Sequence, residues 1–250
     1  MNRGQPARIV LVEDHSLFAE SLEIALRMEG YDAHRLVLDD SVTMGARLLA
    51  AVLGLKPTVV LLDLDLGVLG NGAELIVPLT EARVTVAVVT GNLDRARWGE
   101  CIARGARTVV SKTAPLAEIL GTIRRMADGL AMMSRAERDE LVAVWQQRVR
   151  EEKELRSRLG HLTRREAEVL GELMTGKQVS DIARERFVSE STVRTQVKAV
   201  LAKLQVSSQL TAVGLAHRAN WHPPSAAEER LPQRHVEPRF DAQVRRGHGR

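Results

Sequence analysis

Five side chains able to carry phosphate or metal chemistry stand directly after short apolar stretches of this sequence. They are Glu13, Asp14, Asp63, Thr90 and Lys112. Carboxylates are hard oxygen ligands that suit Mg²⁺, which prefers few carboxylates and several waters. An aspartate can also act as the nucleophile toward phosphorus and form an acyl phosphate. We therefore expect phosphoryl transfer to Asp63, with the Lys112 ammonium and the Thr90 hydroxyl contacting phosphate oxygens.

Each of these residues also has an ordinary structural explanation. Glu13, Asp14 and Thr90 can cap the helices that follow them, and Asp63 can turn the chain at the end of a strand. Lys112 can be a solvated loop lysine. Any one residue alone favours the structural explanation, whereas all five at successive strand ends favour a site.

The first half of the chain alternates strands with helices. Apolar runs predict strands at 8–12, 31–36, 58–62, 84–89 and 108–110, and helical stripes follow at 16–29, 42–53, 72–77, 95–103 and 115–128. Pro78 should shorten or kink the third helix. Five such repeats predict a doubly wound parallel sheet, whose right-handed crossovers bring the strand carboxyl ends to one edge.

The second half has a different organisation. We expect a domain at 7–128, a helical linker at 129–159, an all-helical domain at 160–220 and a disordered basic tail at 221–250. Residues 1–128 hold 14 Lys and Arg against 16 Asp and Glu, whereas residues 160–222 hold 9 against 6. The basic surplus of the second half weakly suggests a nucleic-acid partner.

The predicted helix at 190–204 has a basic outer face. Its apolar residues form one buried stripe, which leaves Arg194, Thr195, Lys198 and Lys203 outside. Such a helix can enter a major groove, where arginine and lysine reach guanine or phosphate. An ordinary amphipathic helix with a solvated basic face is the more common case for a single helix.

Residues 7–128 resemble the receiver domain of two-component response regulators. The matching motifs are the acidic pair Glu13-Asp14, the phosphoacceptor strand ending in Asp63, Thr90-Gly91, and Lys112. This resemblance implies a flavodoxin-like fold, Mg²⁺, a sensor histidine kinase as phosphoryl donor, and a metal contact from the Asp65 backbone carbonyl. Two positions depart from the family pattern: Gly67 stands where proline is frequent, and Val109 stands where an aromatic switch residue is usual.

Residues 160–220 resemble the LuxR-type helix-turn-helix of the NarL/FixJ subfamily. The shared motifs include Leu162-Thr163, Arg165-Glu166, Asp181-Ile182-Ala183, and the run from Val188 to Val197. The resemblance implies that 190–204 is the recognition helix and that Arg194, Thr195 and Lys198 contact the groove. It also implies a homodimer on a two-fold symmetric operator. Gln178 and Gln196 depart from the usual residues.

The leading hypothesis is a DNA-binding transcription regulator controlled by phosphorylation of Asp63, and not a turnover enzyme. One alternative is a phosphorylation-independent DNA-binding protein, which Gly67 and Val109 keep open. Another is a haloacid dehalogenase-like phosphatase, but the acidic pair such enzymes need after Lys112 is lacking. With no apolar run long enough for a membrane span, no evident signal peptide and a single cysteine, Cys101, we expect a cytoplasmic protein.

Overall fold

The computed structural model of this chain describes residues 7–37 and 45–224. Its contacts divide the chain into two compact units, Met1–Glu151 and Glu152–Arg250. The described part of the first unit combines a parallel sheet with helices, whereas the described part of the second is helical. Of the described helices, none combines the length and apolar character that crossing a membrane requires.

The sheet of the first unit contains five described strands in the order β2-β1-β3-β4-β5. They are β1 (Arg8–Val12), β2 (Asp32–Arg35), β3 (Val59–Leu62), β4 (Thr85–Thr90) and β5 (Thr108–Ser111). Every neighbouring pair is parallel. The central strands are continuous aliphatic runs because both of their faces are covered. The predicted doubly wound parallel sheet is confirmed.

Helices cover the two faces of this sheet and bury two separate cores. The helices are α1 (Ser16–Met28), α2 (Ala46–Gly54), α3 (Ile76–Glu81), α4 (Arg95–Ala103) and α5 (Leu116–Ala127). Ile9 and Leu11 pack with residues of α1 and α5, whereas Val10 and Val12 pack with residues of α2, α3 and α4. This division follows from the alternation of side chains along a strand.

The segment after β3 differs from the single helix that we predicted. Two short 3₁₀ turns, Gly67–Leu69 and Gly72–Leu75, precede α3. Pro78 lies within the first turn of α3, where proline is tolerated because the first N–H groups of a helix have no partner inside it. The proline therefore does not end this helix, which continues to Glu81. The first residues of the helix predicted at 42–53 lie outside the described residues.

A long helix, α6 (Arg135–Gly160), occupies most of the predicted linker. Its residues up to Glu151 belong to the first unit and the rest to the second. In the first unit Leu141 is buried in the core beside α2, α3 and α4. In the second unit Leu159 is buried in a separate core, together with residues of Arg164–Met174, Glu190–Leu204 and Gln209–Arg218.

The second unit continues with four helices, α7 (Arg164–Met174), α8 (Val179–Glu185), α9 (Glu190–Leu204) and α10 (Gln209–Arg218). Side chains of Thr163, Ser189 and Ser208 cap α7, α9 and α10, each accepting a backbone N–H. Thr163 and Glu166 form a capping box at the start of α7. These caps set the starts of α7, α9 and α10, and α9 matches the helix predicted at 190–204.

The predicted disordered tail from 221 is wrong for its first residues. Trp221 donates its backbone N–H to the Ala216 carbonyl and packs against the core of the second unit. A Cβ placed on Gly171 of α7 would lie 2.8 Å from the Pro223 ring, so these two residues are in close contact. The apolar bodies of tryptophan and proline therefore continue the domain to at least residue 223. Residues 225–250 lie outside the described residues.

Candidate functional site

The carboxyl ends of four neighbouring strands bring the five predicted residues to one edge of the sheet. Glu13 and Asp14 follow β1, Asp63 follows β3, Thr90 ends β4 and Lys112 follows β5. Glu13, Asp63 and Thr90 are buried, although all three are polar. The Lys112 N–H donates to the Thr90 carbonyl at 2.9 Å, which extends the pairing of β4 with β5 into the site.

Asp63 is a buried carboxylate with both oxygens engaged. Its Oδ1 accepts the Leu64 N–H at 2.7 Å, and its Oδ2 accepts a hydrogen bond from Lys112 Nζ at 2.7 Å. Lys112 Nζ also donates to Glu13 Oε1 at 2.7 Å. The residue is only 2 % exposed, so these partners offset the cost of burying its charge.

Lys112 links the strands electrostatically. Burial by itself would lower the pKa of its ammonium, but hydrogen bonds to the Asp63 and Glu13 carboxylates outweigh it and raise the pKa above its usual value. The ammonium also lies 5.2 Å from the centroid of the Phe18 ring, a cation–π distance. Lys112 therefore remains charged and close to Asp63.

An acidic cluster at this edge could hold a metal ion. One ligand atom from each of Glu13, Asp14, His15 and Asp63 lies within 4.8 Å of the others. Burial, the largest effect, raises the pKa of Glu13, as does the Asp63 charge, because a buried carboxylate beside another is costly to ionise. Three carboxylates around a small space fit a hard divalent cation that retains several waters.

His15 adds a contact that we did not assign from the sequence. Its Nδ1 lies 2.8 Å from Asp14 Oδ1 and 3.2 Å from Glu13 Oε1, and its backbone N–H donates to Glu13 Oε1 at 3.0 Å. The only signal for it was its position directly after the acidic pair. The imidazole helps to hold the two carboxylates at the entrance of the site.

The loop after β3 presents the backbone of Asp65 at this edge. Two hydrogen bonds cross the loop, from the Leu66 N–H to the Gly70 carbonyl and from the Gly72 N–H to the Leu64 carbonyl. These bonds join the residues on either side of Asp65 to the returning arm of the loop. The metal contact of the Asp65 carbonyl stays a prediction.

Glycines allow this loop to pass close to the carboxylates. Gly67 has φ of +57°, and a Cβ there would lie 3.0 Å from Asp14 Oδ2. Proline, whose φ is near −65°, could not adopt this conformation. A Cβ on Gly72 would lie 2.0 Å from the Asp63 carbonyl oxygen. The loop conformation at Gly67 is therefore one that a proline at this position could not adopt.

The position of the usual aromatic switch is filled by a core valine. Val109 lies beside Val88 in the sheet and is 8 % exposed. The Thr90 hydroxyl oxygen accepts the Asn92 N–H at 3.1 Å, which ties the switch threonine to the start of the β4–α4 loop instead. A valine offers no ring that could follow the movement of this hydroxyl.

In the second unit, α9 separates a buried face from a basic exposed face. Val193, Val197, Val200 and Leu204 are buried. The exposed residues include the predicted Arg194, Thr195 and Lys198. Arg194 forms an (i, i+4) ion pair with Glu190 at 3.0 Å, and the Thr195 hydroxyl donates to the Ser191 carbonyl. These short-range contacts leave the face accessible to a partner.

Lys203 does not lie on the open face where we expected it. Its Nζ is 2.6 Å from Glu166 Oε2 and 3.1 Å from the His161 carbonyl oxygen. Burial alone would raise the pKa of Glu166, but hydrogen bonds from Lys203 and from the Thr163 backbone lower it below its usual value. Lys203 thus ties α9 to the start of α7, and this contact assigns it to the fold of the domain.

A second ion cluster, which the sequence did not indicate, joins α7 to the end of α8. Arg186 is hydrogen-bonded to Glu168 Oε2 at 2.9 Å and to Glu172 Oε1 at 3.0 Å. Burial would lower the pKa of Arg186, but these two carboxylates raise it above its usual value. The cluster holds the short α8 in place and so supports the turn that precedes α9.

Comparison with known families assigns each half of the chain. The family model of the response regulator receiver domain matches residues 9–124. The family model of bacterial regulatory proteins of the luxR family matches residues 160–216. The first match contains the acidic cluster with Lys112, and the second contains α7 to most of α10.

Several curated relatives match this chain over most of its length and over nearly all of their own. The nitrate/nitrite response regulator protein homolog of Haemophilus influenzae is 27% identical over 85% of this chain and 97% of its own length. The transcriptional regulatory protein LiaR of Bacillus subtilis is 28% identical, over 84% and 97% respectively. The probable transcriptional regulatory protein NarL of Mycobacterium tuberculosis is 28% identical, over 87% and 98%. The chain therefore belongs to the response regulators of two-component systems, and it joins a receiver domain to a DNA-binding domain of the LuxR family.

Proposed function

We propose that this response regulator binds DNA under the control of a phosphoryl group carried by Asp63. The observation that carries the proposal is the contact of Lys112 Nζ with both the buried Asp63 and Glu13, at 2.7 Å each. A buried aspartate beside a charged lysine and two further carboxylates is suited to accept a phosphoryl group. The receiver domain indicates a histidine kinase as partner, and the LuxR-type domain indicates DNA.

The chemistry is a phosphoryl transfer to the Asp63 carboxylate. One carboxylate oxygen attacks the phosphorus of a phosphohistidine or of acetyl phosphate, and the bond from phosphorus to the leaving nitrogen or oxygen breaks. The product is an acyl phosphate on Asp63. Lys112 transfers its hydrogen bond from the carboxylate to a phosphoryl oxygen, and the Thr90 hydroxyl donates to another.

The residues around Asp63 fit a magnesium ion. Glu13, Asp14, Asp63 and the Asp65 carbonyl would hold it, since their oxygens are of the kind that Mg²⁺ prefers. When bound, the ion offsets the negative charge of the phosphate and of the carboxylates. Lys112 supplies a further positive charge at Asp63 Oδ2.

For DNA binding, α9 enters the major groove with Arg194, Thr195 and Lys198 toward the bases and phosphates. Two copies of the chain would place two such helices on a two-fold symmetric operator. Its two proposed partners, DNA and the phosphoryl-donating domain of the kinase, would have to be in the same compartment. We therefore place the regulator in the cytoplasm. Its output is transcription control, and it turns over no substrate of its own.

A second candidate function is DNA binding that is independent of phosphorylation. Gly67 and Val109 favour it, because both depart from the receiver pattern at positions linked to the phosphoacceptor. In that case the acidic cluster would serve only the stability of the domain.

Phosphoryl labelling of the full chain tests the proposed function. With labelled acetyl phosphate and Mg²⁺, we expect incorporation into the wild-type chain and none into Asp63→Asn, because the amide is not a nucleophile toward phosphorus. The matched control is Asp32→Asn, an aspartate at the start of β2 and so at the opposite edge of the sheet. It should incorporate phosphate like the wild type. Persistent labelling of Asp63→Asn would sink the assignment.

A further inference from the structure

The chain's own linker helix covers one helix of the receiver domain. A Cβ placed on Gly99 of α4 would lie 2.0 Å from the Leu141 carbonyl oxygen and 2.9 Å from the Trp145 Cβ. Leu141 is 3 % exposed and lies in the same core as Ile102 of α4. The backbones of α4 and α6 therefore meet as closely as glycine permits, and neither helix can move here without separating from the other.

Two ion pairs also join α6 to the start of α4. Arg95 Nη2 and Glu140 Oε1 are 2.9 Å apart, and both side chains are exposed. Arg148 Nη1 and Asp94 Oδ2 are 2.5 Å apart. Asp94 also caps α4, because its Oδ1 accepts the Ala96 N–H at 2.9 Å. Asp94 is thus both the N-cap of α4 and an ion-pair partner of the linker helix.

A short run of hydrogen bonds connects Asp94 to the switch threonine. The Asn92 N–H donates to Thr90 Oγ1 at 3.1 Å, and the Asp94 N–H donates to Asn92 Oδ1 at 2.8 Å. The Trp98 Nε1–H donates to the Asn92 carbonyl at 2.7 Å. The backbones of Asn92 and Asp94 are therefore each held by the side chain two residues earlier, and that of Asn92 also by Trp98 of α4. A displacement of Thr90 changes the acceptor on which the rest of the run depends.

We propose that Asn92 and Asp94 carry the phosphorylation state of Asp63 from the Thr90 hydroxyl to the linker helix, through the Asp94–Arg148 ion pair. This inference rests on the proposed function of Asp63. When a phosphoryl group is present, the Thr90 hydroxyl turns toward it and the Asn92 N–H loses its acceptor in the present geometry. Asp94 shifts with the loop and the first half of α6 separates from α4.

The close packing makes this a switch between two arrangements. Contacts such as that of Gly99 with Leu141 have no slack, so a small shift at the start of α4 breaks the packing rather than deforming it. The route also avoids Val109, which offers no aromatic ring. In this proposal the β4–α4 loop takes the place of the aromatic switch residue that is absent at position 109.

Hydrogen exchange of the full chain, with and without acetyl phosphate and Mg²⁺, tests the proposal. The readout is the exchange of amides in residues 136–148 of α6, together with phosphate incorporation measured on the same samples. Arg148→Gln removes the linker side of the pair. Asp94→Asn removes the charge on the other side and keeps a good N-cap for α4. The matched control is Glu140→Gln, which breaks the neighbouring ion pair between the same two helices.

In the wild type we expect phosphorylation to raise exchange in 136–148 by roughly tenfold. Arg148→Gln and Asp94→Asn should incorporate phosphate normally, exchange faster before phosphorylation, and change less than about twofold on phosphorylation. Glu140→Gln should keep the full response. A wild type that incorporates phosphate without a change in α6, or pair variants that respond like the wild type, would overturn the relay alone. Failure of the wild type to incorporate phosphate would overturn the proposed function as well.

Discussion

At the scale of single residues, Lys198 and Lys203 lie on the same helix and serve different ends. Lys198 is exposed, whereas Lys203 is bonded to the buried Glu166. We expect Lys198→Ala to reduce the slope of log affinity against log salt by about 0.9, as for one lost phosphate contact, with unchanged stability. Lys203→Ala should leave the slope unchanged and lower the free energy of unfolding by about 1–3 kcal/mol, because it leaves a buried carboxylate without its partner.

Fluorescence anisotropy gives the salt dependence, with a duplex selected by the wild-type chain from a random-sequence pool, and urea unfolding gives the stability. If Lys203→Ala instead lost one unit of salt slope at full stability, Lys203 would be a DNA contact after all.

The sequence predicted the residues of the acidic edge because their positions depend only on where apolar strands end. Asp63 could be placed from a run of four aliphatic residues before it. The contact of Lys203 with Glu166 could not, because it joins residues 37 apart through the packing of two helices. The positive φ of Gly67 could not be predicted either, because glycine adopts positive and negative φ about equally well.

At the scale of elements, the first turn of α7 depends on pH through Glu166. Its pKa is lower in the folded chain than its ordinary value of 4.5. The ionised Glu166 therefore contributes its full stabilisation of the folded chain above pH 4.5. This contribution is lost as the pH falls through the lower pKa that Glu166 has in the folded chain. We expect Glu166→Gln to cost about 1–3 kcal/mol at neutral pH, because the Lys203 pair is lost while the amide oxygen still accepts the Thr163 N–H.

Urea unfolding of the full chain, followed by far-ultraviolet circular dichroism, checks this expectation at neutral and at acidic pH. The difference between wild type and Glu166→Gln should shrink on acidification. A difference that stays constant down to about pH 3 would contradict the lowered pKa.

The sequence predicted the starts of α1, α4, α5 and α9 to within one residue, whereas the segment before α3 was predicted poorly. Asp94 and Ser189 cap α4 and α9, whose starts were predicted at 95 and 190. The 3₁₀ turns before α3 and the bounds of α6 were not predicted, although Asn71 caps the second turn and the Ser134 hydroxyl oxygen accepts the Glu137 N–H at the start of α6. Their geometry depends on the return of the Gly72 loop to the Asp63 backbone and on the packing of Leu141, which are tertiary contacts.

At the scale of the whole molecule, the single cysteine reports on the integrity of the receiver core. Cys101 is 1 % exposed, and burial raises the pKa of its thiol to about 12. We expect its reaction with a disulfide reagent at pH 8 to be roughly a thousandfold slower in the native chain than in urea, because the thiolate is the reactive form. Rapid and complete modification of the native chain would show that α4 is not packed as described.

The architecture of both units followed from the sequence, because strand–helix alternation and the helix-turn-helix motifs are local patterns. The tail was predicted less well, since Trp221 and Pro223 pack onto the second unit through contacts that composition does not reveal. The docking of α6 on α4 was also unforeseen. It depends on one glycine, Gly99, whose missing side chain matters only once the two helices meet.

The central claim is that phosphorylation of Asp63 controls binding to DNA. The most direct measurement is the affinity of the full chain for the selected duplex at fixed salt, with and without acetyl phosphate and Mg²⁺, for the wild type and for Asp63→Asn. We expect acetyl phosphate to raise the affinity of the wild type by at least about tenfold, a coupling of ordinary size, and to leave Asp63→Asn unchanged. Equal affinity of the phosphorylated and unphosphorylated wild type would contradict the account.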